Sequence, residues 1–263
     1  MELKPTVLFE DSYIIAVNKP YGLVVNNSRS WKGITLQDLV YGYINSSIDS
    51  FQTYLDSIKN LETIEKAPID ESSLFTQRWG LVHRLDKETS GVILIAKNED
   101  MLVNLLNQFK FRQVKKMYIA LVYGKFPKDY IEVNAPIKRH PLHRTKFAVV
   151  VDGKPSQTFF KLKQHYRWGT QIISLITAEP KTGRTHQIRV HLTALLHPVL
   201  GDNLYLGKNR VQNSREVFGR LMLHASHIVF THPATNTSIS IDAPLPQEFL
   251  EISNIEGISA LNE

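Results

Sequence analysis

The feature that most restricts the fold is a run of β-rich segments with almost no helix between them. From residue 116 to 180 the chain reads "KMYIALVYG", "YIEVNAPI", "KFAVVVDG", "SQTFFKLKQHY" and "TQIISLITAEP", punctuated by Gly, Pro, Asp and Asn. Stretches of this kind, joined by short turns, pair as antiparallel meanders, because parallel neighbours need a crossover of a dozen residues or more. The flanking segments add to the same sheet. "VLFED" and "YIIAVNK" read as strands ahead of a Pro20-Tyr21-Gly22 turn, "GVILIAK" (91–97) as a buried strand, and "LMLHASHIVFTHP" and "TSISIDAP" as later strands.

Helices are fewer. "TLQDLVYGYI" reads as a short helix. Residues 98–113 place Met101, Leu102, Leu105, Leu106 and Phe109 at helical spacing behind an Asn98 cap. Residues 185–197 read as a helix capped by Thr185, with Ile188, Leu192, Leu195 and Leu196 on one face. Residues 45–75 are polar, acidic and weakly periodic, which predicts a solvated surface insertion carrying at most a short helix. The whole is an α+β pattern on a large, mainly antiparallel sheet. Without an internal repeat or a Gly/Ser-rich linker, the expectation is a single domain over 1–263.

Composition excludes some chemistries. The chain has no cysteine, so it offers no disulfide framework, thiol nucleophile or Cys-ligated zinc site. Its apolar runs fall short of the ~18 residues a membrane span needs, and the first residues do not form a signal peptide. The expectation is a soluble, cytoplasmic protein. Net charge is +6, but residues 45–73 carry six acids and two lysines, so the rest of the chain carries +10. Such a surplus suits a polyanionic partner, nucleic acid above all, or a merely solvated basic face.

Two motif-like stretches are decoys. "GDNLYLGKN" (201–209) has five residues between its glycines and Asn after the lysine, whereas a phosphate-cradling loop needs four and a Ser or Thr. "HRLD" echoes the kinase "HRD", but Leu85 displaces the acid by one position and no nucleotide loop or DFG accompanies it. The ten histidines include no HExxH. His186 and His191 are five apart, and His224 and His227 fall on opposite faces of a strand.

Two clusters remain. "LVHRLDKETSG" (81–91) sets Asp86 two residues after Arg84 and just before a Thr89-Ser90-Gly91 turn. "EPKTGRTHQIRVH" (179–191) gathers Lys181, Arg184, His186, Arg189 and His191 around a turn and a helix start, a setting that suits phosphate. A carboxylate meeting one of these arginines would be held ionised, as nucleophilic catalysis by aspartate requires. The residues alone leave that reading open against a buried Arg–Asp pair with no chemistry.

These stretches also carry a resemblance. "VLFEDSYIIAVNKPYG", "HRLDKETSGVILIAK", "KMYIALVYG", "HPLHRTKFAVVVDGKPSQTFFKL", "EPKTGRTHQIRVHLTALLHPVLGD" and "LMLHASHIVFTHP" resemble, in order from about Val7 to Pro244, the RluA-type family of RNA pseudouridine synthases. The resemblance implies the pseudouridine synthase fold and isomerisation of a uridine in ribosomal or transfer RNA, with no cofactor and no metal. Asp86 matches the catalytic aspartate and Tyr118 the active-site tyrosine that stacks on the base, with a hydroxyl placed to take a proton. Arg189 matches the basic residue paired with the aspartate. Arg84 matches an arginine that helps hold the flipped-out nucleotide, and Leu223 the apolar floor under the ring. Arg184 and His186 fall to phosphate or structural roles. The target base must leave its stack to reach such a carboxylate, so a platform and basic anchors are needed beside it.

The family motifs begin at about residue 7, so the expectation is a catalytic domain without the N-terminal S4-like domain of many relatives. It is expected to act as a monomer and to grip RNA by itself or with a partner's help. The alternative from another class is an inactive RNA-binding or ribosome-assembly protein on the same fold. A metal-dependent hydrolase is a more distant one.

Overall fold

The computed structural model describes residues 3–28, 31–68, 70 and 72–261. In chain order the first elements are β1 (Thr6–Glu10), β2 (Ile14–Lys19), α1 (Leu36–Ile44), α2 (Phe51–Ser57), α3 (Leu74–Arg78), β3 (Ser90–Ala96) and α4 (Glu99–Lys110). Strands β4 (Lys115–Tyr123), β5 (Tyr130–Asn134), β6 (Ile137–Arg139), β7 (Phe147–Val149), β8 (Gln157–Trp168) and β9 (Gln171–Pro180) follow. Then come α5 (Gln187–Ala194), α6 (Lys208–Phe218), β10 (Leu223–Thr231), β11 (Ser238–Asp242), α7 (Gln247–Leu250) and β12 (Ile258–Leu261). The α+β reading holds, with strand pairs β1–β2, β2–β3, β10–β11, β4–β9, β8–β9, β5–β8 and β8–β12 all antiparallel. Strands β6 and β7 form a separate two-stranded ribbon. Among the described residues no helix is long and apolar enough to cross a membrane.

Contacts group the chain into two compact units. One comprises residues 1–114 and 227–244, the other residues 115–226 and 245–263. Neither is a continuous stretch, since the chain passes between them inside β10.

In the first unit β2 and β3 form the buried centre. Ile14, Ile15, Ala16 and Val17 are at most 1% exposed, and every residue of β3 is buried. A strand buried on both faces reads as a continuous apolar run rather than an alternating one. Helix α4 starts where Asn98 accepts the Met101 N–H at 3.0 Å and buries Leu102 and Leu105. Helix α1 starts at Thr35, which forms a reciprocal capping box with Asp38.

The region read as a solvated insertion is different. Helix α2 buries Phe51, Tyr54 and Leu55, with Ile58 just beyond it. The Phe51 N–H donates to both oxygens of Glu10 at the end of β1. These four apolar positions follow helical spacing, but seven residues among exposed acids give a weak signal. The insertion is part of this unit's core.

In the second unit β4, β9 and β8 run side by side, with β5 and β12 on β8. Ala120, Leu121, Val122, Phe160, Ile173 and Ile176 form the centre, joined by Val199, Leu200, Leu221 and Met222. Helix α5 is shorter than predicted and does not begin at Thr185. Its N-cap is His186, held in the left-handed region at φ 56° without a side-chain cap bond. Neither α6 nor β12 was predicted.

Candidate active site

The loop that carries Asp86 lies in the first unit and is held from both ends. Gly80, at φ +77°, passes so close to β3 that a Cβ there would sit 2.1 Å from the Ala96 carbonyl oxygen. Leu81 then bridges to Ile95. The His83 Nε2 accepts the Leu94 N–H at 3.0 Å while its ring stacks on Phe109 with centroids 4.7 Å apart. Leu85 is buried, and Thr89 N–H closes a tight turn onto the Asp86 carbonyl at 3.1 Å. Asp86 is half-buried at the head of that turn and Arg84 is exposed.

Lys19 fixes the position of this turn. Its side chain is fully buried, yet its ammonium donates to three backbone carbonyls: Pro20 at 2.8 Å, Leu23 at 2.9 Å and Lys87 at 3.2 Å. The Gly22 N–H adds a second donor to the Lys87 carbonyl at 2.9 Å. A buried cation is tolerated where its donors are satisfied. The "NKPYG" stretch is therefore a clamp on the residue after Asp86. Lys87 itself extends over the Trp31 ring, 4.5 Å from its centroid.

The other candidate residues lie in the second unit. Tyr118, half-buried on β4 opposite Ala178, packs against the apolar cluster that contains Leu223 and Ile188. Lys116 precedes it by two residues and so lies on the same face of the strand. Burial, and then the nearby Lys181 charge, push the Lys116 ammonium down to about 8.

Arg189, buried on α5, forms a bidentate pair with the fully buried Asp202: Nε to Oδ2 at 2.7 Å and Nη2 to Oδ1 at 2.8 Å. The same carboxylate accepts the N–H groups of Leu204 and Tyr205 at 2.9 and 3.1 Å. Arg189 also lies 5.2 Å from the Tyr205 ring centroid. His186 Nδ1 meets the Tyr205 hydroxyl at 3.0 Å, and that hydroxyl accepts the Phe147 N–H at 2.9 Å. Arg184 is half-buried, and its Nε donates to Pro155 O at 3.4 Å.

The turn before α5 is organised by Gln187, a residue that sequence reasoning did not single out. Its Oε1 accepts the Thr182 hydroxyl and the Arg184 N–H at 2.7 and 3.0 Å, and its Nε2 donates to Gln157 O and Thr158 Oγ1. His191, fully buried one turn on, contacts Thr158 Oγ1 at 2.9 Å and the Ala135 carbonyl at 3.0 Å. Burial lowers its basicity despite the raising effect of that carbonyl.

Thus one unit holds Asp86 and Arg84, and the other holds Tyr118, Leu223, Arg184, His186 and Arg189. Asp202, Tyr205 and Gln187 were missed. Gly201, just before Asp202, lies at φ +72°, where a Cβ would sit 2.0 Å from the Arg220 carbonyl oxygen. Such a glycine marks a close backbone approach, and the acid after it is buried with it. Among the described residues no cluster of three or more His, Asp or Glu side chains could hold a metal ion.

Comparison with known proteins places the chain. Residues 13–194 match the family described as RNA pseudouridylate synthase. The ribosomal large subunit pseudouridine synthase D of Nitrosomonas europaea is 36% identical over 92% of this chain, which spans 62% of that protein's length. The ribosomal large subunit pseudouridine synthase C of Buchnera aphidicola subsp. Schizaphis graminum is 35% identical over 94% of the chain, spanning 69% of that protein. The solved structure of human RNA pseudouridylate synthase domain containing 1 shares the fold. It matches with a TM-score of 0.69 at 22% identity, covering 99% of this chain and 91% of that one. The chain belongs to the RNA pseudouridylate synthase family, within the RluA-type group.

Proposed function

We propose that this protein isomerises a uridine of large-subunit ribosomal RNA to pseudouridine, with Asp86 as the catalytic aspartate. The observation that carries the reading is the positioning of that one carboxylate. It heads a turn held by Lys19, Gly22 and the His83–Leu94 contact, on a loop whose backbone leaves little room to move. The relatives that share most of the chain are named for action on the ribosomal large subunit, which favours ribosomal over transfer RNA. The reaction breaks the bond between uracil N1 and ribose C1′ and forms one from C5 to C1′. C5 gives up a proton and N1 gains one, so composition is unchanged and no oxidant or co-substrate is consumed. A positioned carboxylate and a platform for the turning base are enough.

In this reading Tyr118 and Leu223 form the platform, Arg189 the basic partner of the carboxylate, and Arg84, Arg184 and His186 the contacts to the nucleotide backbone. The protein acts as a monomer in the cytoplasm without cofactor. The test is to map pseudouridines in cellular RNA with and without the gene and then complement the loss. A site restored by the wild type but not by Asp86→Asn supports the assignment; turnover that persists in Asp86→Asn refutes it. Tyr118→Phe is expected to slow single-turnover conversion more than it weakens RNA binding, and an unchanged rate removes the proton role of its hydroxyl.

A further inference from the structure

Helix α5 begins without a local capping signal. Its N-cap, His186, sits in the left-handed region at φ 56° and offers no side-chain cap bond. A strained residue of this kind persists only where its surroundings determine it. The surroundings here are a chain of buried side chains. It runs from the turn before the helix, through β8, to the segment between β5 and β6.

Each hydrogen in that chain has one place to go. The Ala135 carbonyl can only accept, so His191 Nε2, 3.0 Å away, carries a hydrogen. In the neutral ring Nδ1 is then bare, and it accepts the Thr158 hydroxyl at 2.9 Å. Burial lowers the basicity of this ring, which favours the neutral form. The Thr158 oxygen in turn accepts Gln187 Nε2 at 3.0 Å, whose other hydrogen goes to Gln157 O at 2.9 Å. Gln187 Oε1 accepts the Thr182 hydroxyl and the Arg184 N–H, and Thr182 Oγ1 accepts the Gln157 N–H at 3.1 Å. One tautomer of His191 and one orientation of the Gln187 amide satisfy the whole relay.

Thr158 is its centre. The residue is fully buried, and its single hydroxyl holds two residues of α5 that lie four apart and so share a face of the helix. Arg189 stands two residues from each, roughly 200° around the axis at ~100° per residue, and its guanidinium meets Asp202. The helix is therefore pinned on opposite sides. The Asp202 pair holds the end of the Arg189 side chain, while the relay holds the rotation of the backbone that carries it.

We propose that the Thr158 hydroxyl, acting through Gln187 and His191, is a positioning element of the active site that fixes the rotation of α5 and with it the direction of Arg189. The inference rests on the RNA pseudouridine synthase reading and deepens it by naming what aims the basic partner of Asp86. Displacing a catalytic group by about 1 Å can cost ~10²-fold in rate. The relay is buried, so it acts on turnover and leaves the RNA-binding surface unchanged.

The experiment compares Thr158→Val, which keeps the shape and removes the hydroxyl, with Thr158→Ser, which keeps the hydroxyl. Gln187→Met breaks the relay at a second member. Affinity for in vitro transcribed large-subunit ribosomal RNA is read by fluorescence anisotropy, and single-turnover pseudouridine formation is followed at saturating enzyme. The His191 ring nitrogens are observed by NMR, and all rates are taken well below each variant's Tm. Thr158→Val is expected to move Nδ1 to the resonance of an unbonded nitrogen. It should lower the maximal rate by ~10- to 100-fold and leave the RNA Kd within about 3-fold of wild type. Thr158→Ser should recover most of the rate, and Gln187→Met should show the same split between rate and affinity. A Thr158→Val enzyme with its Nδ1 bond gone and the wild-type rate overturns the positioning role. An equal loss in Thr158→Val and Thr158→Ser also overturns it and assigns the site to packing. Should Thr158→Val fail to fold, Gln187→Met decides: the split supports the role and a wild-type rate overturns it. A wild type that forms no pseudouridine overturns the enzymatic reading and the role built on it, whereas an active wild type matched by Thr158→Val overturns the role alone.

Discussion

Replacing Asp202 by asparagine tests whether Arg189 is held by a true buried ion pair. The fully buried carboxylate accepts Nε and Nη2 of Arg189 at 2.7 and 2.8 Å and two backbone N–H groups at 2.9 and 3.1 Å. Asparagine can keep its oxygen where Oδ1 stood, preserving the Leu204 and Tyr205 bonds. It then sets an NH2 against the Arg189 Nε–H, donor facing donor. Two unit charges ~4 Å apart attract by about 4 kcal/mol at an effective dielectric near 20, and breaking a buried pair by removing one partner costs roughly 3–5 kcal/mol. The expected loss is therefore about 3–5 kcal/mol, a Tm lower by roughly 6–20 °C for a chain of this size. Urea unfolding of Asp202→Asn, Arg189→Met and the double variant forms a cycle. The double variant should cost at least ~2 kcal/mol less than the two single losses together, because the second change removes the stranded guanidinium. A loss below about 1 kcal/mol for Asp202→Asn, or an additive cycle, would refute the reasoning.

Three further outcomes follow from the same geometry. Lys19→Met should destabilise by roughly 2–4 kcal/mol, since the carbonyls of Pro20, Leu23 and Lys87 lose a charged donor in a buried place. Faster hydrogen exchange at Gly22 and Thr89 should accompany that loss, and unchanged protection would show that the ammonium does not hold the Asp86 turn. Gly201→Ala should cost more than ~3 kcal/mol or abolish folding, as φ +72° and a backbone oxygen 2.0 Å from the new Cβ leave it no place; a soluble variant with wild-type Tm contradicts this. His191 is held neutral by burial, so the unfolded chain takes up its proton first as pH falls through the ordinary value of about 6.5. Stability should drop below that pH by at most about 1.4 kcal/mol per unit for one proton, and His191→Gln should flatten the profile measured by urea unfolding between pH 7 and 5.

How much of this was legible in the sequence depends on what kind of information each feature carries. Asn98 announced its helix because a cap acts within three residues. The strands of 115–180 were visible because turn residues separate them at hairpin spacing. Helix α2 carried the right spacing at Phe51, Tyr54, Leu55 and Ile58, but exposed acids diluted it to one period. Helix α6 buries only Ser214 and Phe218, so it had almost no apolar face to display.

The site divides in the same way. The residue types of "LVHRLDKETSG" and "HQIR" can be read directly, since a carboxylate and an arginine advertise their chemistry wherever they lie. Their partners cannot. Lys19 read as the last residue of a strand, and only the fold shows it clamping Lys87, 68 residues away. Asp202 sat inside a stretch set aside as a decoy. The acid's job is to hold Arg189, which no local spacing encodes. Gln187 was hidden for the opposite reason: a neutral amide at a helix start suggests nothing until its four contacts are seen. Each missed residue holds another in place, and none was named as a reacting group. Positioning depends on pairs brought together by register and packing, so it becomes visible only when the chain is folded. The cost of losing such a residue should therefore appear first in stability and exchange, and in turnover only through the group it holds.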